Sequence, residues 1–399
     1  MKFDWKNYSL EDVCERIYSG GTPSTKHSDY WNGELKWLSS GETSQRFIYD
    51  TERKITQRGV ENSSTKLATK GCTVIATAGQ GYTRGQASFL MTDTYMNQSV
   101  IACKAKENII LPLYLYYNLD NRYEEFRLLS DGTSTRGGLS GWILKRMEIS
   151  LPNIEVQRRI VSILYSIDQK IELNNTINNN LEEQLSSLFV NMFGRSIDSL
   201  DNSDIKLGDL IESVDNRGKT PPLSDKPTAY PIIDVRALSG NSRIIDYTNC
   251  TKYVSEETYN NWFRSGHPKE YDILISTVGS LAEMKIFLGN TGCIAQNVVG
   301  FRTKGISPLY LYQYLNYIKN DLVAYNIGSV QPSIKVTHII KHSIYVAPKE
   351  DIEIFDSVAR DITKIIFANC QENEALKQMR DTLLPKLMSG ELDVSNIEL

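Results

Sequence analysis

Pro112-Leu-Tyr-Leu-Tyr116 returns letter for letter as Pro308-Leu-Tyr-Leu-Tyr312, 196 positions further along a chain of 399 residues. Outward from this pair, similar segments follow one another in the same order in both halves of the chain. Residues 71–79 resemble residues 271–279, and Asn97-Gln-Ser-Val resembles Ala295-Gln-Asn-Val. A repeat of this extent predicts two similar domains, each formed by one copy.

Each copy begins with a globular part of mixed composition. Its short β-branched runs, such as residues 73–77 and 273–277, end in glycine-containing loops and predict strands. The two Pro-Leu-Tyr-Leu-Tyr segments predict helices, because a proline at the first helical position loses no hydrogen bond. Their tyrosines are expected in the core. We therefore expect an α+β class: two similar globular domains of α/β type at 1–152 and 196–349, forming a pseudo-two-fold internal repeat.

After Pro152 the pattern changes to an alternating 4-3 spacing of mostly apolar residues, which is typical of a coiled-coil seam. In the first copy the seam is Ile160, Leu164, Ile167, Ile171, Asn174, Asn178, Leu181, Leu185 and Leu188. In the second copy it is Val358, Ile362, Ile365, Asn369, Glu372, Leu376, Met379 and Leu383. We expect two long antiparallel helices at 153–195 and 350–399, the latter including a C-terminal tail. The alternative is two unrelated surface helices.

Composition excludes several classes of protein. Hydrophobic residues make up 41% and charged residues 23%, as in ordinary globular proteins, and no apolar run is long enough for a membrane span. The polar N-terminus and six scattered cysteines favour a cytoplasmic protein with reduced thiols. The net charge of −4 lies mostly in the second helical segment, so the near-neutral globular halves permit a nucleic-acid partner without demanding one.

Motifs for catalysis or metal binding are weak. Gly218-Lys-Thr220 lacks the earlier glycine of a phosphate-binding loop, and His338 and His342 lack the glutamate of a zinc protease motif. Asp272, Glu283 and Lys285 form a loose carboxylate–carboxylate–lysine pattern that could hold Mg²⁺ for phosphodiester hydrolysis. A Mg²⁺-dependent nuclease therefore stays as one alternative, and a repeat scaffold without nucleic acid as another. We expect no catalytic residue and no metal ligand in this chain.

Two similar modules on a rigid spacer fit a bipartite target. A helix of 33 residues from Ile160 to Met192 is ~50 Å long at ~1.5 Å per residue. That length exceeds one turn of DNA, roughly 34 Å. We therefore expect double-stranded DNA with two half-sites, which differ in sequence because the copies have diverged.

The organisation resembles the specificity subunit of type I restriction–modification systems. The likeness is carried by the repeat, the Gly20-Gly-Thr-Pro23 and Gly218-Lys-Thr-Pro221 turns, the pentapeptide pair, and the helical segments, which include Asn180-Leu-Glu-Glu-Gln-Leu185 and Leu383-Leu-Pro-Lys-Leu-Met-Ser-Gly-Glu-Leu392. The resemblance implies two target recognition domains, with helices that set the gap and dock two modification (methyltransferase) subunits. Restriction subunits with ATP-driven translocation would join them. S-adenosylmethionine, ATP and Mg²⁺ would bind these partners, and this chain would hold no cofactor and contact no membrane.

Candidate DNA contacts are side chains in three loop pairs that can reach base edges or phosphates. In the first copy they are Ser24, Thr25, Lys26, Gln80, Tyr82, Thr83, Arg84, Thr135, Arg136 and Lys145. In the second copy they are Arg217, Lys219, Thr220, Ser280, Lys285, Gln331 and Lys341. For each residue the alternative is a solvated loop or a structural turn.

Overall fold

A computed structural model describes residues 5–79, 81–131, 138–200, 204–289 and 291–394. The chain forms two compact units: residues 1–169 with 376–399, and residues 170–375. The first long helix spans Ile154–Phe189 and the second long helix spans Lys349–Met388. Each long helix contributes one of its ends to each unit.

Unit 1 contains three antiparallel or mixed sheets. Its five-stranded sheet has the spatial order Cys14–Ser19, Val100–Ala105, Thr73–Ala76, Ala87–Leu90 and Phe47–Ile48. A four-stranded sheet has the order Arg53–Ile55, Trp31–Leu38, Thr94–Met96 and Lys66–Ala68, and a two-stranded one joins Lys6–Ser9 to Glu148–Leu151. The α-helices are Leu10–Val13, Gln57–Glu61, Pro112–Asp120, Tyr123–Asp131 and Gly141–Arg146.

Unit 2 contains a four-stranded sheet in the order Ile211–Val214, Val298–Thr303, Ile273–Ser276 and Met284–Ile286. A short parallel pair joins Ile232–Ile233 to Cys293–Ile294. A π-helical turn, Val190–Gly194, follows the first long helix. The other α-helices are Arg195–Asp198, Leu207–Leu210, Glu256–Trp262, Pro308–Tyr317, Lys319–Ala324 and Val336–Ile339.

The internal repeat is confirmed by strand order. In each unit the central pair is the strand before the Pro-Leu-Tyr-Leu-Tyr helix and the β-branched strand that the sequence predicts, Val100–Ala105 with Thr73–Ala76 and Val298–Thr303 with Ile273–Ser276. The pentapeptide helices cover these sheets with buried tyrosines, such as Tyr116 and Tyr312. Both copies therefore bury the same apolar face, and the tyrosines belong to the core as expected.

The first long helix follows its predicted seam. Ile160, Leu164, Ile167 and Ile171 are at most 8% exposed, and Leu185 is fully buried. In unit 1, Ile160 and Leu164 share a core with Leu384 and Leu387 of the second long helix. In unit 2, Leu185 and Phe189 share a core with Phe355 and Ile366. The start of one helix thus packs on the end of the other, as an antiparallel pair does.

The predicted seam of the second long helix is wrong by one residue. Val358, Ile365 and Met379 are 41%, 48% and 53% exposed. The buried line lies one position later, at Ala359, Thr363, Ile366, Asn373, Arg380, Leu384 and Leu387. Ile362, Asn369, Leu376 and Leu383 flank this line and are half-buried.

Polar side chains explain this shift. Thr363, Asn373 and Arg380 occupy seam positions because each has a partner: Arg243 donates to Thr363 Oγ1 at 3.0 Å and Arg380 donates to Asp168 Oδ1 at 2.9 Å. Asn174 Nδ2 donates to Asn373 Oδ1 at 2.9 Å. A search for apolar residues passes over such positions, although a buried polar pair in a seam fixes the register of two helices.

No helix in the described part of the chain combines the length and apolar content that a membrane span requires. All six cysteines lie within the described ranges, and none of them forms a disulfide.

The neighbouring isoleucines of the second long helix test its register. Ile366 is fully buried and Ile365 is 48% exposed. We expect Ile366→Ala to lower the free energy of unfolding by about 2–5 kcal/mol, because it leaves a cavity in the core. Ile365→Ala should cost less than about 1 kcal/mol. Urea unfolding of both variants measures the difference, and equal costs or the reverse order would restore the seam predicted from sequence.

Candidate nucleic-acid interface

Backbone and side-chain hydrogen bonds join the three candidate loops of unit 1. Thr22 Oγ1 in the glycine-rich turn donates to Gln98 Oε1 at 2.6 Å. Next to Gln98, the Ser99 carbonyl accepts from Thr77 N at 2.8 Å, and the Thr77 carbonyl accepts from Leu139 N at 3.1 Å. The turn is therefore linked through Gln98 and Ser99 to Thr77, where the loop after the central strand meets the segment after residue 137.

Unit 2 repeats this arrangement with equivalent residues. Gln296 Nε2 donates to Thr220 Oγ1 at 2.9 Å. Thr277 N donates to the Asn297 carbonyl at 2.8 Å, and Ile334 N donates to the Thr277 carbonyl at 2.9 Å. We call each set of three joined loops, with the short segment that links them, the three-loop edge: residues 20–26, 77–79, 81–85, 97–99 and 138–140 in unit 1, and 215–220, 277–283, 295–297 and 327–334 in unit 2.

Close approach of main chains explains the glycine pair of the first turn. A Cβ atom on Gly20 would lie 1.9 Å from the Met96 carbonyl oxygen, which no side chain can tolerate. Gly21 N donates to the same carbonyl at 3.0 Å. The turn is therefore fixed to the sheet by its backbone, and its tip is left for side chains that face solvent.

The first-copy candidates differ in their freedom. Ser24, Thr25 and Lys26 are exposed at the tip of the turn, and Thr83 and Arg84 are half-buried. Lys145 forms an ion pair of 2.8 Å with Glu11, so its charge is partly committed within the unit. Gln80, Thr135 and Arg136 lie outside the described residues.

Tyr82 is highly exposed, at 82%. Its main chain is nevertheless fixed from below: Tyr123 Oη donates to the Tyr82 carbonyl at 2.9 Å, and Arg127 donates to the Gly81 carbonyl at 2.6 Å. An aromatic ring on a fixed backbone loses little conformational entropy when it stacks on a ligand.

The second-copy candidates are mostly exposed. Lys219, Thr220, Ser280, Gln331 and Lys341 all face solvent. Arg217 is held by Asp215 through two hydrogen bonds of 2.9 and 2.7 Å, and this contact lowers the pKa of the Asp215 carboxyl. The turn is thus ordered before any ligand arrives.

Lys285, which the sequence predicts as a DNA contact, is buried instead. It is 1% exposed, and its ammonium donates to the Gly240 carbonyl at 2.6 Å and to the Ser242 carbonyl. Burial lowers the pKa of Lys285 to about 8. Lys285 lies in the strand Met284–Ile286, and its ammonium group is bound by backbone carbonyls. It is therefore not part of an exposed edge.

The nuclease pattern is not assembled. Asp272 is bound by Arg302 at 2.7 and 3.1 Å, while Glu283 pairs with Lys319 at 3.0 Å. Within the described ranges, no group of three or more histidine, cysteine or carboxylate side chains is arranged to hold a metal ion. The two carboxylates of the pattern are therefore each paired with a separate structural cation.

Sequence reasoning missed two kinds of residue. Gln98 and Gln296 are exposed at equivalent points of the three-loop edges, and Arg46 and Arg243 carry equivalent contacts to the long helices. The repeat held a signal for both pairs, since Asn97-Gln98 aligns with Ala295-Gln296 and Arg46-Phe-Ile with Arg243-Ile-Ile.

Comparison with known proteins finds the same duplication. The family model of the type I restriction modification DNA specificity domain matches this chain twice, at residues 2–183 and 200–378. The chain belongs to this family. The two matches coincide with the two copies of the repeat, so each copy is one specificity domain of the family.

Relatives in the specificity family align with almost the whole of this chain. The type I restriction enzyme MjaIX specificity subunit of Methanocaldococcus jannaschii is 25% identical over 99% of this chain and 95% of its own length. The HindI specificity subunit of Haemophilus influenzae is 22% identical over 98% and 100%. The crystal structure of a type I restriction-modification S subunit from M. genitalium shares the fold, with a TM-score of 0.58, 15% identity and 96% coverage of both chains.

Two lysines of unit 2 test whether Lys285 has a structural role in the core. Lys285→Ala removes a buried stem and leaves two carbonyls without their donor, so the free energy of unfolding should fall by about 2–4 kcal/mol. Lys341→Ala changes an exposed side chain and should stay within about 0.5 kcal/mol. Thermal and urea unfolding compare the two. A neutral Lys285→Ala would show that this side chain is available at the surface.

Proposed function

We propose that this chain is the DNA-recognition subunit of a type I restriction-modification complex, in which the domains at 1–152 and 196–349 each read one half of a bipartite, gapped site in double-stranded DNA. The observation that carries the proposal is the duplicated three-loop edge. Thr77 and Thr277 join equivalent loops by equivalent hydrogen bonds, yet the exposed side chains on those loops differ. Two domains that share the same loop hydrogen bonds but differ in their exposed loop side chains can recognise different sequences in one DNA duplex.

The exposed side chains match the chemistry of the two parts of DNA. Lys26 and Lys219 at the turns suit phosphates, which position a protein on the duplex without reading its sequence. Gln98, Gln296 and Gln331 carry amides that can form paired hydrogen bonds with base edges in the major groove. Tyr82 in the first copy has no aromatic counterpart in the second, where the alignment of residues 71–79 with 271–279 places the fully buried Ala282. The two half-sites should therefore be unlike.

The long helices serve as the spacer between half-sites in this proposal. The first long helix has 36 residues and a length of ~54 Å at ~1.5 Å per residue. Asn174 and Asn178 lie in its seam, bonded to Asn373 and Asn369 of the second long helix. A polar layer of this kind lowers the stability of the helix pair but permits only one register. A spacer that sets a fixed distance requires a single register.

The same helices dock two modification (methyltransferase) subunits, joined by restriction/translocase subunits in the cytoplasm. The exposed Ile354, Val358 and Ile365 give the second long helix an apolar strip among acidic residues such as Asp351 and Asp361. Such a strip is typical of a protein interface. S-adenosylmethionine, ATP and Mg²⁺ belong to those partners, and this chain is a recognition component rather than an enzyme.

A domain exchange tests the proposal. Residues 1–152 are replaced by the corresponding domain of a family member with a known, different half-site, and the hybrid is expressed with its modification subunits. Since each domain reads its own half, genome-wide detection of methylated adenine should show one altered half-site with the other half and the gap unchanged. Exchange of residues 196–349 is the matched control and should alter the opposite half. Hybrids that change both halves, or neither, would contradict the modular assignment.

A further inference from the structure

Arg46 and Arg243 occupy equivalent places in the two copies. Each stands directly before a residue that pairs in parallel with the strand next to the central β-branched strand, Phe47 with Phe89 and Ile244 with Ile286. In both units the arginine carbonyl accepts a hydrogen bond of 2.8 Å from the backbone N–H of that strand residue, Phe89 or Ile286. The main chain of each arginine is therefore fixed within a recognition domain.

Both guanidinium groups lie over the last tyrosine of the repeated pentapeptide. The distance from the guanidinium carbon to the ring centre is 5.4 Å for Arg46 over Tyr116 and 5.4 Å for Arg243 over Tyr312. The ring offers its negative face to the cation. The repeat has thus kept a specific pair of side chains, although neither arginine belongs to the segments that define the repeat in sequence.

In unit 1 the guanidinium joins the domain to the first long helix. Arg46 donates to Asp120 at 2.8 Å and to Asp168 at 3.3 Å. Asp168 lies in the first long helix, is 2% exposed, and also accepts from Arg380 of the second long helix at 2.9 Å. One carboxylate therefore ties the domain to both helices.

In unit 2 the guanidinium of Arg243 also joins the domain to both long helices, through different partners. Arg243 is fully buried and binds Glu182 of the first long helix with contacts of 2.6 to 3.1 Å, two of them through Nε and one through Nη2. Its other nitrogen, Nη1, donates to Thr363 of the second long helix at 3.0 Å. We call each set the arginine clamp: Arg46 with Asp120 and Asp168, and Arg243 with Glu182 and Thr363.

Stability alone does not account for a buried ion pair. Removing both charges from water costs about as much as their attraction returns, so apolar residues of similar volume would hold these surfaces together equally well. What the arginine adds is direction, because the planar guanidinium donates hydrogen bonds only at fixed angles. A clamp that spans a domain and two helices selects one orientation of the domain on the helix pair.

We propose that Arg46 and Arg243 are positioning residues that set each recognition domain on the helix pair, and that this setting determines which gap between half-sites the subunit accepts. The inference rests on the proposed function. It assigns control of the gap to the joints between domains and helices, in addition to the length of the helices.

The test uses the complete complex of this chain with its modification subunits. Duplexes carry the wild-type half-sites with the native gap or with a gap changed by one base pair, and methyl transfer is measured on each. Arg46→Met is combined with Asp120→Asn so that no carboxylate is left unpaired, since Asp168 keeps Arg380 and Tyr117. Arg243→Met with Glu182→Gln is the counterpart in unit 2. The control is Arg58→Met with Asp29→Asn, an exposed ion pair of unit 1.

Wild type and control should prefer the native gap, and each clamp variant should lose about tenfold of that preference, the equivalent of about 1.4 kcal/mol. The base preference within both half-sites should stay unchanged, which a general loss of folding would not give. Should a double variant fail to fold, Arg46→Lys, which keeps the charge and loses the fork, decides in its place. An unchanged gap preference in folded variants overturns the inference. Failure of the wild-type complex to methylate any gapped site overturns the proposed function instead.

Discussion

A carboxylate buried in a helix pair has to be neutralised by nearby donors, and Asp168 shows how this constraint organises unit 1. Its oxygens accept from Arg46, Arg380 and Tyr117, which come from the domain, the second long helix and the pentapeptide helix. An uncompensated charge at this depth would cost several kcal/mol. The sheet, the tyrosine helix and both long helices are therefore bound to one another in a single arrangement.

The two copies of the repeat share one framework. The same order of four strands, equivalent buried tyrosines and equivalent hydrogen bonds at Thr77 and Thr277 recur in the two units. Only residues that hold this frame have to be kept in both copies. The loop tips, where Tyr82 stands in one copy and Gln331 is exposed in the other, are free to diverge. A stable frame with independent tips is how one chain comes to read two unlike sequences.

The sequence predicts those parts of the fold that depend on apolar periodicity and on the repeat. It located both long helices, the seam of the first and the central strands, because their buried positions hold mostly apolar side chains. It placed the second seam one residue too early, since Thr363, Asn373 and Arg380 are buried through partners that lie far away in the chain. Lys285 was misplaced for the same reason: its partners are the backbone carbonyls of Gly240 and Ser242. The contact of Thr22 with Gln98 likewise joins residues that periodicity cannot relate.

Reading of two half-sites by the two domains is tested by sequencing methylated adenines in the genome of cells that carry the modification subunits, with and without this chain. We expect a single added motif with two specific segments of different sequence, separated by a constant number of unspecified base pairs. A continuous or perfectly palindromic motif would contradict the recognition of two different half-sites by two domains. A methylation pattern that does not depend on this chain would contradict it as well.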